Sequence, residues 1–250
     1  MRAETDGSHS AAQRIRTQLK RVAHLRERAR TAGLVLAVRE VKQLQAQRFR
    51  ATYADFLNDP RHAPATRFFL EELYAEHDFS ARDAQFGRIA GALERLFPAA
   101  VTDLAVDLAE THAATESLDH ELADHWLHCH ATSNPALRYV HSWRRTGDRA
   151  QRQRQLEVVL HMGRELQRLT RQRTLLAALK WMRGPAHAAG LGALQNFLED
   201  GFSAFATMGD AGPFLQAIAQ REQYWIDTLF DADLSVAQTS LQREWQRARG

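Results

Sequence analysis

Five of the twelve histidines fall between His112 and His130, interleaved with Glu116, Glu121 and Asp124. Imidazole nitrogens and carboxylate oxygens at helical spacing are a donor set suited to iron or zinc. On a helix, Glu121, His125 and His128 lie within about sixty degrees of one another by the 3.6-residue period. Glu157 and His161, four apart on a later segment, repeat the carboxylate-to-histidine spacing. Two such helices face to face would offer a mixed Glu/His metal site, and His161, His187 or His125 could serve haem as a single axial ligand. The Glu-x-x-His spacing of carboxylate-bridged di-iron bundles is absent. The plainer reading, a hydrated helix whose histidines pair with carboxylates one turn away, is preferred. The expectation is therefore no cofactor, with iron, zinc or haem as the alternative.

A second group sits in one short stretch. Tyr74, Asp78, Arg82 and Asp83 place a phenol, two carboxylates and a guanidinium close along the chain. They could bind a polar ligand. Against this stands a local lock, in which Arg82 pairs with Asp78 while Asp83 caps the turn that starts at Ser80. The only thiol, Cys129, lies between His128 and His130 and reads as a packing residue rather than a nucleophile. Gly190-Leu191-Gly192 follows no strand and lacks the companions of a phosphate cradle.

The elements that must carry these groups are helices. Ile15, Leu19, Val22 and Leu25 recur at three and four, while Arg14, Arg21 and Arg28 form a stripe one heptad apart. The same period runs on past Gly33 to Asn58, from Phe68 through two Pro-bounded segments to His130, and from Leu137 to Trp245. No stretch alternates in the manner of a strand. The spacing predicts an all-α protein of roughly 8–10 helices in one globular array or elaborated bundle. Residues 1–9 are expected to be disordered and 10–250 to form one domain, with 10–58 a basic helical arm capable of standing apart from the body.

Charge is distributed in blocks. Residues 1–50 hold 12 Lys/Arg against 4 Asp/Glu and residues 71–124 hold 3 against 13, whereas residues 138–183 hold 12 against 3 and residues 193–234 hold 1 against 7. Blocks of opposite sign favour docking within the fold, so the net charge of +3 is poor support for nucleic-acid binding. One cysteine excludes an internal disulfide and a multi-thiolate zinc site. With no apolar run of membrane-spanning length, a cytoplasmic, membrane-free protein is expected.

The segment Phe68-Phe69-Leu70-Glu71-Glu72-Leu73-Tyr74, followed by Asp78-Phe79 and Arg82-Asp83, resembles a signature of uncharacterised bacterial proteins with an FFLxxLYxxxDFxxRD segment. Met182-Arg183-Gly184-Pro185-Ala186 and the run from Gly190 to Phe202 belong to the same pattern, and the resemblance covers about residues 60–230. It brings no activity. It implies that the Phe68 corner and the Gly/Phe-rich helix meet in one core, around a pocket. The function expected is binding, of a protein partner, a second copy or a small ligand, in a regulatory or adaptor role. The Arg14/Arg21/Arg28 stripe is the candidate partner surface. A metal- or haem-dependent helical enzyme and a nucleic-acid-associated regulator are the alternatives.

Overall fold

A computed structural model describes residues 9–73, 79–129 and 134–248. Its elements are α1 (Ala11–Thr31), α2 (Val35–Thr52), α3 (Ala54–Asn58), α4 (Ala63–Phe68), a π-helical turn (Phe69–Leu73), α5 (Ser80–Leu96), α6 (Ala99–His128) and α7 (Pro135–Thr146). The second half adds α8 (Arg149–Thr170), α9 (Arg173–Trp181), α10 (Arg183–Ala188), α11 (Gly192–Met208), α12 (Gly212–Phe230) and α13 (Leu234–Arg247). The all-α expectation holds, with no strand among the described residues. The count exceeds ten because the chain breaks into short pieces such as α3, α4 and α10 at its Pro- and Gly-bearing corners. No helix among the described residues is long and apolar enough to cross a membrane. Residues 1–8, most of the segment expected to be disordered, lie outside the described residues.

Local chemistry sets the first boundaries. Ser10 and Gln13 form a capping box, Ser10 Oγ accepting from Gln13 N at 3.3 Å and Gln13 Oε1 accepting from Ser10 N at 3.0 Å. Gly33, at φ +69°, lets the chain reverse while Leu34 N–H returns to Ala29 O at 2.8 Å. Residues 10–58 then run along the body: α1 lies against α5 and α6, and α2 against α6 and α13.

Helix α6 is the axis of the molecule. Its thirty residues span about 45 Å at 1.5 Å per residue, and it packs against α1, α2, α5, α7 and α8. Three apolar clusters make up the core, and α6 contributes to two of them. Val41, Leu122, Trp126, Tyr139, Val140 and Leu241 knit α2, α6, α7 and α13. Phe49, Tyr53, Phe205, Phe214 and Ile226 join α2, α11 and α12, and Ile15, Phe86, Val106 and Phe197 join α1, α5, α6 and α11. The Phe68 corner does meet the Gly/Phe-rich helix: the Phe68 ring lies 5.3 Å from that of Phe197 and against Gly201.

Leu122 is fully buried where α2 and α7 close on α6. Leu122→Ala is expected to lower the unfolding free energy by about 2–5 kcal/mol, read from urea denaturation.

Candidate functional site

One face of α6 carries Thr111, His112, Thr115, Glu116 and Asp119, which the helical period stacks into a single stripe. By sequence it runs from the apolar side of the helix at Thr111 and Thr115 to its wet side at His112 and Glu116. In the fold α1 and α2 cover it, and it lines an interior cavity of about 130 Å³. Helix α2 adds Lys42, Gln45 and Arg48, α5 adds Arg82 and Asp83, α8 adds Arg152 and Gln155, and α12 adds Glu222; Tyr53, Tyr139 and Trp143 complete the polar and aromatic wall.

Most of these charges meet a counter-charge. Lys42 Nζ lies 2.8 Å from Glu116 Oε1, with Arg26 Nη2 at 3.7 Å from the same atom. Arg26 Nη1 reaches Asp83 Oδ2 at 2.9 Å, where His112 Nε2 arrives at 3.1 Å and Arg82 Nε stands 3.8 Å from the other oxygen. Arg48 grips Glu222 with both nitrogens at 2.9 Å, and Tyr53 donates to the same carboxylate at 2.9 Å. Three guanidinium groups lie over aromatic faces, Arg152 4.1 Å above Trp143, Arg82 4.1 Å above Phe79 and 4.7 Å above Phe197, and Arg48 5.1 Å above Phe49. Asp119 is 3% exposed and accepts from Gln45 Nε2 at 3.0 Å.

The protonation states follow from these neighbours. Burial alone would raise Asp83, but the His112 hydrogen bond with the Arg26 and Arg82 charges outweighs it and holds the carboxyl below its ordinary range. Glu116 is likewise held down against burial by Lys42 and Arg26. Burial works against the Arg48 charge, yet Glu222 prevails and its guanidinium is held above its usual value. At Asp119 burial wins over Lys42 and Arg152 and pushes the carboxyl up. Burial also pushes the Tyr139 phenol up to about 12.

Of the four residues expected to bind a ligand, Arg82 and Asp83 stand in this wall, while Tyr74 and Asp78 lie outside the described residues. The capping role expected of Asp83 is not what the structure shows. Helix α5 starts after Phe79 without a side-chain cap, because the Asp83 carboxylate is drawn to Arg26 and His112 across the helix interface.

The metal-ligand set does not assemble. Among the described residues no group of three or more His, Cys, Asp or Glu is placed to hold a metal ion. Gln155–Thr115 and His161–Asp107 contacts run α8 antiparallel to α6, so His161 pairs with Asp107 at 3.6 Å. Glu121 stands about 21 Å further along α6 than Asp107, at 1.5 Å per residue. His128 Nδ1 donates to the Asp124 carbonyl at 2.8 Å, Glu121 accepts from Ser117 at 3.4 Å, and Glu157 is exposed. His125 is half-buried on the same turn of α6. In the arginine stripe, Arg14 pairs with Glu110 at 2.8 Å and Arg21 donates to Ser117 at 3.1 Å, both on α6, while Arg28 is exposed.

Sequence reading left Glu116 on the wet side of its helix and did not single out Lys42, Gln45, Arg48, Asp119, Arg152 or Glu222 as site residues. One signal was present: Thr111 and Thr115 interrupt the apolar side of α6, and both line the cavity.

Fold and site define an all-helical protein that encloses a charged cavity against its central helix. The chain belongs to the family described as domain of unknown function DUF8198, whose model matches residues 24–236. No curated protein and no solved structure matches it.

Glu222→Ala strands the Arg48 guanidinium, whose side chain is only 11% exposed, and is expected to cost about 3–5 kcal/mol in urea denaturation. The depressed carboxyls of Asp83 and Glu116, the most buried of those held low, contribute to the acid limb. Their stabilisation is complete above the unfolded carboxylate range of about pH 4 and is lost as pH falls through the lower folded values. Asp83→Asn is expected to flatten that limb in a titration of Tm against pH.

Proposed function

We propose that this protein binds a small ligand bearing ionised or hydrogen-bonding groups in the charged cavity beside α6, and acts through recognition rather than catalysis. The observation that supports this is the convergence of four cations (Lys42, Arg48, Arg82, Arg152) and four carboxylates (Asp83, Glu116, Asp119, Glu222) on one interior space. Charges withdrawn from water are expensive even when paired, and an apolar set of similar volume commonly gives a fold at least as stable. A cavity furnished this way is suited to a polar guest, whose own groups replace the water that the walls have lost.

The arrangement also suits recognition better than turnover. Arg48, Glu222, Lys42 and Glu116 are fixed by mutual bonds of 2.8–2.9 Å, which makes a rigid frame. Asp119, hydrogen-bonded to a neutral amide and raised by burial, is the group whose charge state a guest would set.

Mass spectrometry of the small molecules released from natively purified protein tests the proposal, alongside Asp119→Asn. The wild type is expected to carry a polar compound, and the variant to bind it at least about tenfold more weakly, the cost of a lost charge-assisted hydrogen bond. A carboxyl raised in the fold destabilises it once ionised, so stability falls as pH rises through the folded value. The empty variant is therefore expected to melt higher than the empty wild type at pH 8 and to lose that advantage below about pH 4. Wild-type protein that carries nothing and is not shifted in melting by a panel of polar metabolites would refute the reading, as would a variant that keeps its guest.

A further inference from the structure

Beside the charged cavity, and sharing walls with it, lies a second space of about 340 Å³. Resting on the binding reading above, we infer that the ligand is an amphiphile, with an acidic head group in the charged cavity and a hydrocarbon tail in this apolar chamber. The chamber is bounded by α5, α6, α8, α9, α10 and α11. Gln195 is the one side chain with a hydrogen-bonding group among its described lining residues, and its amide nitrogen is already taken by Leu179 O at 2.7 Å and Glu199 Oε1 at 2.9 Å. Nothing in the wall asks a guest for a polar group.

Size excludes a packing defect. Protein interiors close to crystal density and hold few voids larger than a water molecule. An apolar cavity of roughly 150 Å³ stays dry and takes up benzene, so this chamber would hold roughly a dozen carbon atoms. Its volume also falls in the range of ligand pockets, which begins near roughly 300 Å³.

The two spaces adjoin one another. Phe69, Phe86, Leu108, Met162, Leu194 and Phe197 belong to the walls of both. The Arg82 guanidinium lies 4.7 Å above the Phe197 ring, which places a cation at the seam. Arg82 and His112 line the charged cavity beside Asp83, so an acidic head group meets two donors at the seam. At the far end, Phe97 and Met182 line the chamber and are 37% and 50% exposed, which opens it to solvent between α5 and the α9–α10 corner.

The test is calorimetric titration of the full chain, stripped of bound lipid, with hexanoate, octanoate, decanoate and decanol. Affinity is expected to rise about fourfold with each methylene from hexanoate to decanoate, and decanol to bind more than tenfold more weakly than decanoate. Ala105→Phe, which puts a ring into the chamber away from the charged cavity, is expected to flatten the chain-length series. Equal affinity across the carboxylates of the wild type would overturn the tail assignment while leaving a polar guest in the charged cavity. Decanol as tight as decanoate would overturn the acidic head. If no carboxylate binds although the native protein releases a polar compound, the amphiphile falls and the binding reading stands; if neither occurs, both fall.

Discussion

A central helix packed against five others has no solvent to which its polar stripe can turn. Helix α6 is in that position, and the groups that would otherwise be hydrated must find partners on α1, α2, α5 and α8. Arg26 and Lys42 are the keystones, since each lies against a carboxylate of α6 or α5 from a helix on the opposite side of the interface. Buried charge without a partner is among the costliest arrangements a fold can contain. Consequently the stripe specifies which helices surround α6 and in what register. The apolar clusters supply most of the driving force, yet they would tolerate many registers that the ion pairs forbid.

The same constraint explains why a cavity lies where it does. Side chains that grip each other in pairs cannot also fill the space between pairs, and a long cation held over a ring, as Arg152 is over Trp143, is kept to the wall. Polar framework and interior space are thus two results of a single packing solution. The apolar walls of Phe69, Phe86 and Phe197 limit that space on one side.

Much of the architecture was legible from periodicity. Apolar residues at three and four gave the helical class, Gly33 marked an interruption that the structure turns into a reversal, and the alternating blocks of charge favoured docking within the fold, of which Arg14–Glu110 is one instance. The Phe68 corner was expected to meet the Gly/Phe-rich helix around a pocket, and Arg82 and Asp83, which follow it, do stand in the cavity wall. What stayed hidden was which polar faces are covered. A 3.6-residue period separates an oily side from a wet one but does not say that a second helix will lie on the wet side, so Glu116 read as hydrated. Long-range pairs such as Arg48–Glu222 and Gln45–Asp119 join residues 174 and 74 positions apart, and no local pattern announces them. The Glu/His set failed for the complementary reason: spacing along one helix was readable, while the antiparallel register of α8 on α6 was not.

The wide turn at Phe69–Leu73 has a consequence for how this chain tolerates change in length. Such a turn spends one residue more per hydrogen bond than an α-helix, five instead of four. Losing a single residue there would restore the tighter spiral and leave what comes before and after in nearly the same phase, because five residues of the wide turn and four of an α-helix each make a little over one revolution. Phe68, now facing Phe197 and Gly201, would stay on that wall. Descendants of this sequence are free to drop one letter at these five positions, whereas the same loss within an α-helical stretch would turn its two ends by about 100° relative to one another.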